Sequence, residues 1–457
     1  MEISEKHFGV ILAGGKGRRL WPCSREGKPK QFIDFFGTGR TQLQETFDRF
    51  ARLMPKENIF VCTNHEYAPL VREQLPELRD DYLMIEVVNR NTAASVSWAM
   101  LNIQKRCEDA SIIITPSDQH ITNDDAFERD MKEGLEIVSQ HDMALVMGVK
   151  PTRPEPGYGY IQMGAGTPHP KVFQVQSFSE KPEREFANIF MNSGEFLWNT
   201  GLLLCRAPYL RQCLRKMFFE LFAPDLCERN NYTIDQVLDF IQKNYASLPN
   251  IAIDQGLFEQ ADKAYVMQAG FGWADMGTWH SIYESQRKSE GDNVVIDSEV
   301  LLEDCRDNII KMPKGHLAVI NGLDGYIVAE SGDVLLICPK GDSSALIRKY
   351  VNEARLKYGE EFVYSDKLLT NLCGNLLEFF FRQLQLLTTE VCVGFTLHGN
   401  EVDMGMSHFQ TQHYLCHFLT GERFLQGNGH TLSKLLVARK LVVGHVEKVV
   451  YFAAGYD

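Results

Sequence analysis

An α/β fold, with a largely parallel sheet covered by helices on both faces, is predicted by two features of this chain. Short apolar runs of strand length recur through its first part, and amphipathic stretches with helical spacing separate them. The strand runs are Phe8 to Ala13, Ile59 to Thr63, Ser111 to Thr115 and Ala144 to Val149; Leu43 to Leu53 and Ala126 to Gln140 are among the helical stretches. In such sheets ligands bind beyond the carboxyl ends of strands, so residues that carry chemistry are expected directly after these runs. From about Asn293 the texture changes to short β-rich runs, Val294 to Ile296, Leu317 to Ile320, Tyr326 to Ala329 and Val334 to Ile337, separated by Gly, Asp and Asn turns. A charged helical pattern over Ser344 to Tyr358 closes this part. The expected division is a first domain over residues 1–290, a small β-rich domain over 291–365 and an unassigned tail over 366–457. The tail is charge-poor, holds six of the thirteen histidines and has no clear periodicity.

The composition narrows the class. Hydrophobic residues make up 44% and charged residues 23% of the 457 positions, near the averages of folded soluble proteins and far from disordered or fibrous chains. A formal charge of −13 argues against a nucleic-acid partner, which calls for a basic footprint. The most apolar stretch, Leu376 to Leu387, is interrupted by Glu378 and Arg382, so no membrane span is expected. The eleven cysteines include no Cys-x-x-Cys pair, which removes support for structural zinc and for thioredoxin-like chemistry. With no apolar signal segment in Met1 to Lys6, the expected location is the cytoplasm, with reduced thiols.

One local reversal of charge stands out. The run Phe8 to Ala13 leads into Gly14-Gly15-Lys16-Gly17-Arg18-Arg19-Leu20-Trp21-Pro22, followed by Arg25, Lys28 and Lys30. Between Lys16 and Lys30 six basic residues face only Glu26, a net +5 within an acidic chain. Glycines let backbone N–H groups approach phosphate oxygens, so this loop reads as an anion site rather than a solvated turn. It is neither of two familiar phosphate motifs. No Gly-Lys-Ser/Thr follows, and Leu20 stands where a dinucleotide fingerprint needs its third glycine.

The stretch Leu12-Ala13-Gly14-Gly15-x-Gly17-x-Arg19-Leu20-Trp21-Pro22-x-Ser24-Arg25, continued by Pro29-Lys30-Gln31-Phe32, resembles the signature of the sugar-1-phosphate nucleotidyltransferases. Its form is that of the mannose-1-phosphate guanylyltransferases. The resemblance continues in order through Asn89 to Ala93, Pro116 to Asp118, Gly157 to Ile161, Phe178 to Pro182, Trp198 to Gly201 and Gly272 to Trp279. It departs at Arg18, where many members have Thr, at Gln119, where His is common, and at Gln255-Gly256, where Tyr-Ala is usual. The resemblance implies a Rossmann-like mixed sheet flanked by helices, of the nucleotide-diphospho-sugar transferase type, with a smaller β-rich C-terminal domain. The implied activity is transfer of GMP from GTP to mannose 1-phosphate, giving GDP-mannose and pyrophosphate.

The implied site is specific. Leu12, Ala13, Gly14, Gly15, Gly17, Arg19, Asn91 and Thr92 are expected to bind the nucleotide; for Asn91 and Thr92 a plain helix start is the alternative. Arg19 would hold the β- and γ-phosphates, Lys30 the α-phosphate and Lys181 the attacking phosphate. Asp118 follows a strand-like run through a Pro turn and, with Asp275, is expected to bind Mg²⁺, which takes one or two protein carboxylates and fills its shell with phosphate and water. Capping roles are the alternative for both. Glu180, Lys181, Asn199, Gly159 and Gly201 are expected around the sugar, with Pro182 keeping Lys181 extended; surface pairing and turn roles compete. Asp254 is a weaker candidate sugar contact.

The partners expected are GTP and mannose 1-phosphate, and a homodimer is compatible with the sequence. Rival readings are another sugar or nucleotide, a catalytically silent nucleotide-sugar-binding regulatory module, and a bifunctional isomerase–transferase. The last depends on the tail, where His413 and His417 share a helical spacing that His408 does not, and where no His-x-His metal motif occurs.

Overall fold

The computed structural model describes residues 4–217, 234–260, 263–341 and 343–364, together with 394–398, 401–405, 441–443 and 446–448. They belong to two units, Met1–Leu368 and Leu369–Asp457. The first unit is built on strands β1 (His7–Leu12), β2 (Ile59–Asn64), β3 (Leu83–Glu86), β4 (Ser111–Pro116), β5 (Gln119–Ile121), β6 (Ala144–Val149), β7 (Gly159–Gly166), β8 (Val172–Glu180), β9 (Phe196–Arg206), β10 (Ala264–Gln268) and β11 (Trp273–Asp275). Nine of these form one sheet in the order β3-β2-β1-β4-β9-β6-β10-β8-β7, and β5 pairs with β11 separately.

The parallel expectation holds for the β3-β2-β1-β4 side of this sheet and for one pair beyond it. Strand β1 is parallel to β2 and β4, β2 to β3, and β6 to β10. On the other side β9 runs antiparallel to β4, β6 and β7, and β8 to β7 and β10. Only residues 167–171 link β7 to β8, too short for a crossover, so a hairpin is forced there. The sheet is therefore mixed, as the resemblance implied.

Alternation along the strands explains why both faces are covered. Val10, Ile112, Ile114, Val146 and Leu203 point into one core; Ile11, Ile113, Leu145, Met147 and Leu204 point into another. Helices α1 (Gln42–Ala51), α2 (Ala68–Gln74) and α4 (Asp124–Gln140) contribute to the second core, while α3 (Asn91–Arg106) contributes to the first. Helix α1 starts with a capping box between Thr41 and Gln44, and its Phe50 ring sits so close to β1 that a Cβ on Gly9 would lie 2.4 Å from it. Helices α5 (Arg184–Ser193), α6 (Ala207–Met217), α7 (Ile234–Asn244), α8 (Ile253–Gln260) and α9 (Trp279–Gln286) follow in the chain.

The β-rich part consists of β12 (Val294–Val295), β13 (Glu299–Glu303), β14 (Ile309–Lys311), β15 (Leu317–Asn321), β16 (Tyr326–Ser331) and β17 (Val334–Pro339), closed by α10 (Ser343–Tyr358). Strands β12, β14 and β16 are parallel neighbours and β17 turns back on β16, while β13 pairs in parallel with β15. A third core joins this part to the first sheet's loops: Leu20, Trp21, Phe35, Met276, Trp279 and Tyr283 pack with Ile309, Ile327, Leu336, Ile347 and Val363.

In the second unit β18 (Gly394–His398) pairs antiparallel with β19 (Glu401–Gly405), and β20 (Leu441–Val443) with β21 (Val446–Lys448). His408, His413 and His417 lie outside the described residues.

Candidate active site

The glycine loop leaves the carboxyl end of β1 and is sewn to its neighbours. Ala13 N donates to Cys62 O (2.8 Å) and Ser117 N to Leu12 O (3.0 Å). The Gln31 amide donates to Ala13 O (3.1 Å) and Gly15 O (2.8 Å), and Thr63 Oγ1 to Ala13 O (3.0 Å), so these carbonyls face the protein rather than a ligand. Gly17 has φ of 59°, and a Cβ there would lie 2.5 Å from Ser24 Oγ. Gly14 and Gly15 instead border a cavity of about 290 Å³ that Leu12, Gln31, Glu86, Asn89, Asn91, Thr92, Ser95 and Asp118 also line.

The two aspartates meet because of one small sheet. In the antiparallel pair β5 and β11, Asp275 stands opposite Gln119, which brings it beside Asp118. Between them lies Lys30. Its Nζ is 2.5 Å from Asp118 Oδ2 and 4.0 Å from Asp275 Oδ1, and it donates to Met276 O at 3.3 Å. The lysine is buried. A Cβ on Gly277 would lie 2.8 Å from Asp275 Oδ2 and 3.1 Å from Arg19 Nη2, so a side chain there would crowd both groups. Burial, then the neighbouring Asp118, push the Asp275 carboxyl above its ordinary range against the pull of Lys30 and Arg19.

Carboxylate oxygens are hard donors, and Asp118 in the cavity wall with Asp275 near it fits Mg²⁺. Among the described residues no group of three or more His, Cys, Asp and Glu side chains gathers to make a closed protein cage.

The remaining expected residues separate into two groups. Asn91 starts α3 with φ of 65°; its backbone N–H donates to Asn89 Oδ1 (2.9 Å) and its own Oδ1 accepts from Thr92 N (2.9 Å). Thr92 Oγ1 accepts from Ile253 N (2.8 Å), so the hydroxyl ties α3 to the start of α8 while the residue still borders the cavity. Among the residues expected around a sugar, Gly159 pairs with Glu180, and a Cβ on it would lie 2.9 Å from Glu180 Oε2. Gly201 has φ of 73° and its N–H donates to Asn199 Oδ1 (3.0 Å). Lys181 pairs with Glu180 and is more than half exposed. It is not extended: its φ is 49°. Proline disfavours the right-handed helical region for the residue before it, and the chain here takes the left-handed one.

The charged loop also differs from expectation. Arg18 is 2.7 Å from Glu26, Arg25 is 2.6 Å from Asp333 and donates to Ser331 O (2.7 Å), and Lys30 is held by Asp118. Half of the six cations are thus engaged with carboxylates of this chain.

Two residues gain weight from the structure. Asp254 is half-buried beside Asn199, with an inward Oδ1 lacking a hydrogen-bond partner among the described residues; desolvation, then Glu180, push its carboxyl up to about 6. Glu86, unremarked in the sequence, ends β3 in the cavity wall and accepts from Ser95 Oγ. Burial pushes its carboxyl up to about 7. Its signal was the one that marked Asp118, an acid at the carboxyl end of an apolar strand.

Comparison with known proteins gives a consistent picture. The family model for nucleotidyl transferases matches residues 8–291. The alginate biosynthesis protein AlgA of Pseudomonas aeruginosa is 33% identical over 338 residues, 72% of this chain and 69% of that protein. A mannose-1-phosphate guanylyltransferase of Klebsiella pneumoniae is 29% identical over 441 residues, 93% of this chain and 89% of the relative. The crystal structure of mannose-1-phosphate geranyltransferase from Thermus thermophilus matches with a TM-score of 0.67 at 27% identity, covering 77% of this chain and 99% of its own. With the glycine loop, the paired aspartates and the mixed sheet that carries them, these matches show that the chain belongs to the nucleotidyl transferase family.

Proposed function

We propose that this enzyme transfers GMP from GTP to mannose 1-phosphate, releasing pyrophosphate and forming GDP-mannose. The observation that carries the reading is the meeting of Asp118, Asp275 and Lys30 beside the glycine loop, at the mouth of a cavity with Glu86 in its wall. The names of the relatives support the substrate pair.

In this reading an oxygen of the sugar phosphate attacks the α-phosphorus as the bond to the bridging oxygen of pyrophosphate breaks. No covalent enzyme intermediate is needed, so the work is positioning and charge neutralisation. The loop at Gly14, Gly15 and Gly17 cradles the triphosphate, Arg19 neutralises the departing phosphates, and Lys30 the α-phosphate. Lys181, with Glu180, Asn199, Gly159 and Gly201, holds the mannose 1-phosphate. Asp118 and Asp275 would hold Mg²⁺, which when bound neutralises phosphate charge. Asn91, Thr92 and Glu86 bound the base. Guanine offers N–H donors on the edge where a carboxylate accepts, whereas adenine presents an acceptor at the matching ring position.

Cys62, Cys205 and Cys338 are buried thiols, and a reducing compartment such as the cytoplasm suits them. No described helix is long and apolar enough to cross a membrane. The test is pyrophosphate release across four nucleoside triphosphates and several sugar 1-phosphates. GTP with mannose 1-phosphate should be the preferred pair, and a stronger preference for another pair would reject the reading.

A further inference from the structure

Lys30 has two partners that the reaction also needs. Its ammonium is buried against Asp118 Oδ2 and within ion-pair distance of Asp275 Oδ1, with Met276 O accepting a third contact. An ammonium and a divalent cation on the same two carboxylates repel each other strongly at such spacing, and burial weakens the solvent screening that would relieve it. The cluster therefore suits one cation at a time until phosphate brings further negative charge.

We propose that Lys30 is the built-in counter-ion of the aspartate pair: it competes with a divalent cation for Asp118 and Asp275, and is released toward the α-phosphate when that cation and the nucleotide arrive together. This rests on the nucleotidyl-transfer reading above. Metal alone is held weakly, nucleotide and metal strengthen each other, and the lysine that neutralises the α-phosphate comes free only when the metal is loaded. Arg19, whose charge also acts on Asp275, stays available to the leaving phosphates.

The probe is Mn²⁺, titrated without nucleotide and read by electron paramagnetic resonance on the full chain. Lys30→Met should bind Mn²⁺ at least about tenfold more tightly than the parent, because a like charge has been removed from the site. Lys16→Met, which removes an exposed cation of the same loop, should leave the affinity unchanged. Equal or weaker binding by Lys30→Met, or equal tightening in both variants, overturns the proposal. Should Lys30→Met fail to fold, the parent decides: acetylation of Lys30, followed by mass spectrometry, should rise when Mn²⁺ saturates the site, and an unchanged yield overturns the proposal. Asp118→Asn separates the two readings. Loss of Mn²⁺ binding in that variant, with no effect of Lys30→Met, sinks only the counter-ion role; Mn²⁺ binding that ignores Asp118 sinks the metal assignment and the counter-ion role with it.

Discussion

Two buried charge clusters sit four positions apart on the same loop, and they are built on opposite plans. At Glu26 one carboxylate is met by two guanidinium groups, Arg18 at 2.7 Å and Arg355 at 2.6 Å, while the Glu26 backbone N–H donates to Val363 O. At Lys30 one ammonium is shared unequally by two carboxylates. In the first cluster two guanidinium groups meet Glu26, and Arg355, which also pairs with Glu360, fixes it to α10. The second has an unbalanced negative charge, and its closer partner, Asp118, lines a cavity. The contrast separates charge that fastens the β-rich part to the loop from charge held ready for a ligand.

The comparison breaks first at Lys30. Lys30→Ala should stay folded and lose at least about 100-fold in turnover, comparable to removing one preorganised charge-stabilising donor. Pyrophosphate release by the purified variant is the measurement, and near-parental turnover would refute the assigned role. Glu26→Gln should do the reverse. Removing the partner of two guanidinium groups should cost about 2 kcal/mol of stability, less than for fully buried partners because Arg18 and Arg355 keep some exposure, while turnover of the folded variant stays close to the parent. Urea unfolding reads the first part and steady-state kinetics the second.

The same residue gives a pH signature. Burial alone would raise the Glu26 carboxyl, but the hydrogen bond from Arg355 and the charges of Arg18 and Arg355 outweigh it and hold it below the ordinary glutamate range. A lowered native pKa means stability that is present above the unfolded value and lost as pH falls through the native one. The gap in stability between parent and Glu26→Gln should therefore close in acid, and a gap that widens there would contradict the cluster's described balance.

Glu86 carries the opposite sign. Burial raises its carboxyl to about 7, so ionising it opposes folding at higher pH. Glu86→Gln should be more stable than the parent by about 1–2 kcal/mol at pH 8, with the difference fading below pH 5. Its preference for GTP over ATP should fall at the same time, which a competition assay between the two nucleotides measures. The smallest effect is expected at the far end of the chain. Ending the protein after Leu368, the last residue of the first unit, should leave transfer activity intact, and lost activity in a folded truncation would give the tail a part in catalysis.

Much of the site was legible because its residues lie directly after apolar runs. Gly14 to Gly17 follow β1 and Asp118 follows β4, and a strand run into a glycine or proline turn is visible in sequence. What escaped was set by partners far away. Arg25 reads as a phosphate cation until Asp333, 308 positions on, is seen to claim it. The antiparallel course of β9 depends on which strands flank it, and its own residues are as apolar as those of a parallel strand. Strands β13 and β14 were missed because one begins and ends on Glu and the other has only three residues. At Lys181 the rule for residues before proline excluded one helical region and left its mirror image open.

The pairing of β5 with β11 has a consequence for how the protein is made. Asp118 and Asp275 are far apart in the chain, yet the pairing brings together what the proposed metal assignment needs in one place. At ribosomal speeds of about 5–20 residues per second, roughly 8–30 s pass between synthesis of the first aspartate and of the second. During that interval the emerging chain carries the glycine loop and one carboxylate, so it has the means to meet a nucleotide but not to complete the metal site. On the proposed metal assignment, transfer therefore waits until the segment around Asp275 pairs with β5, and a chain released from the ribosome before that point lacks a complete site.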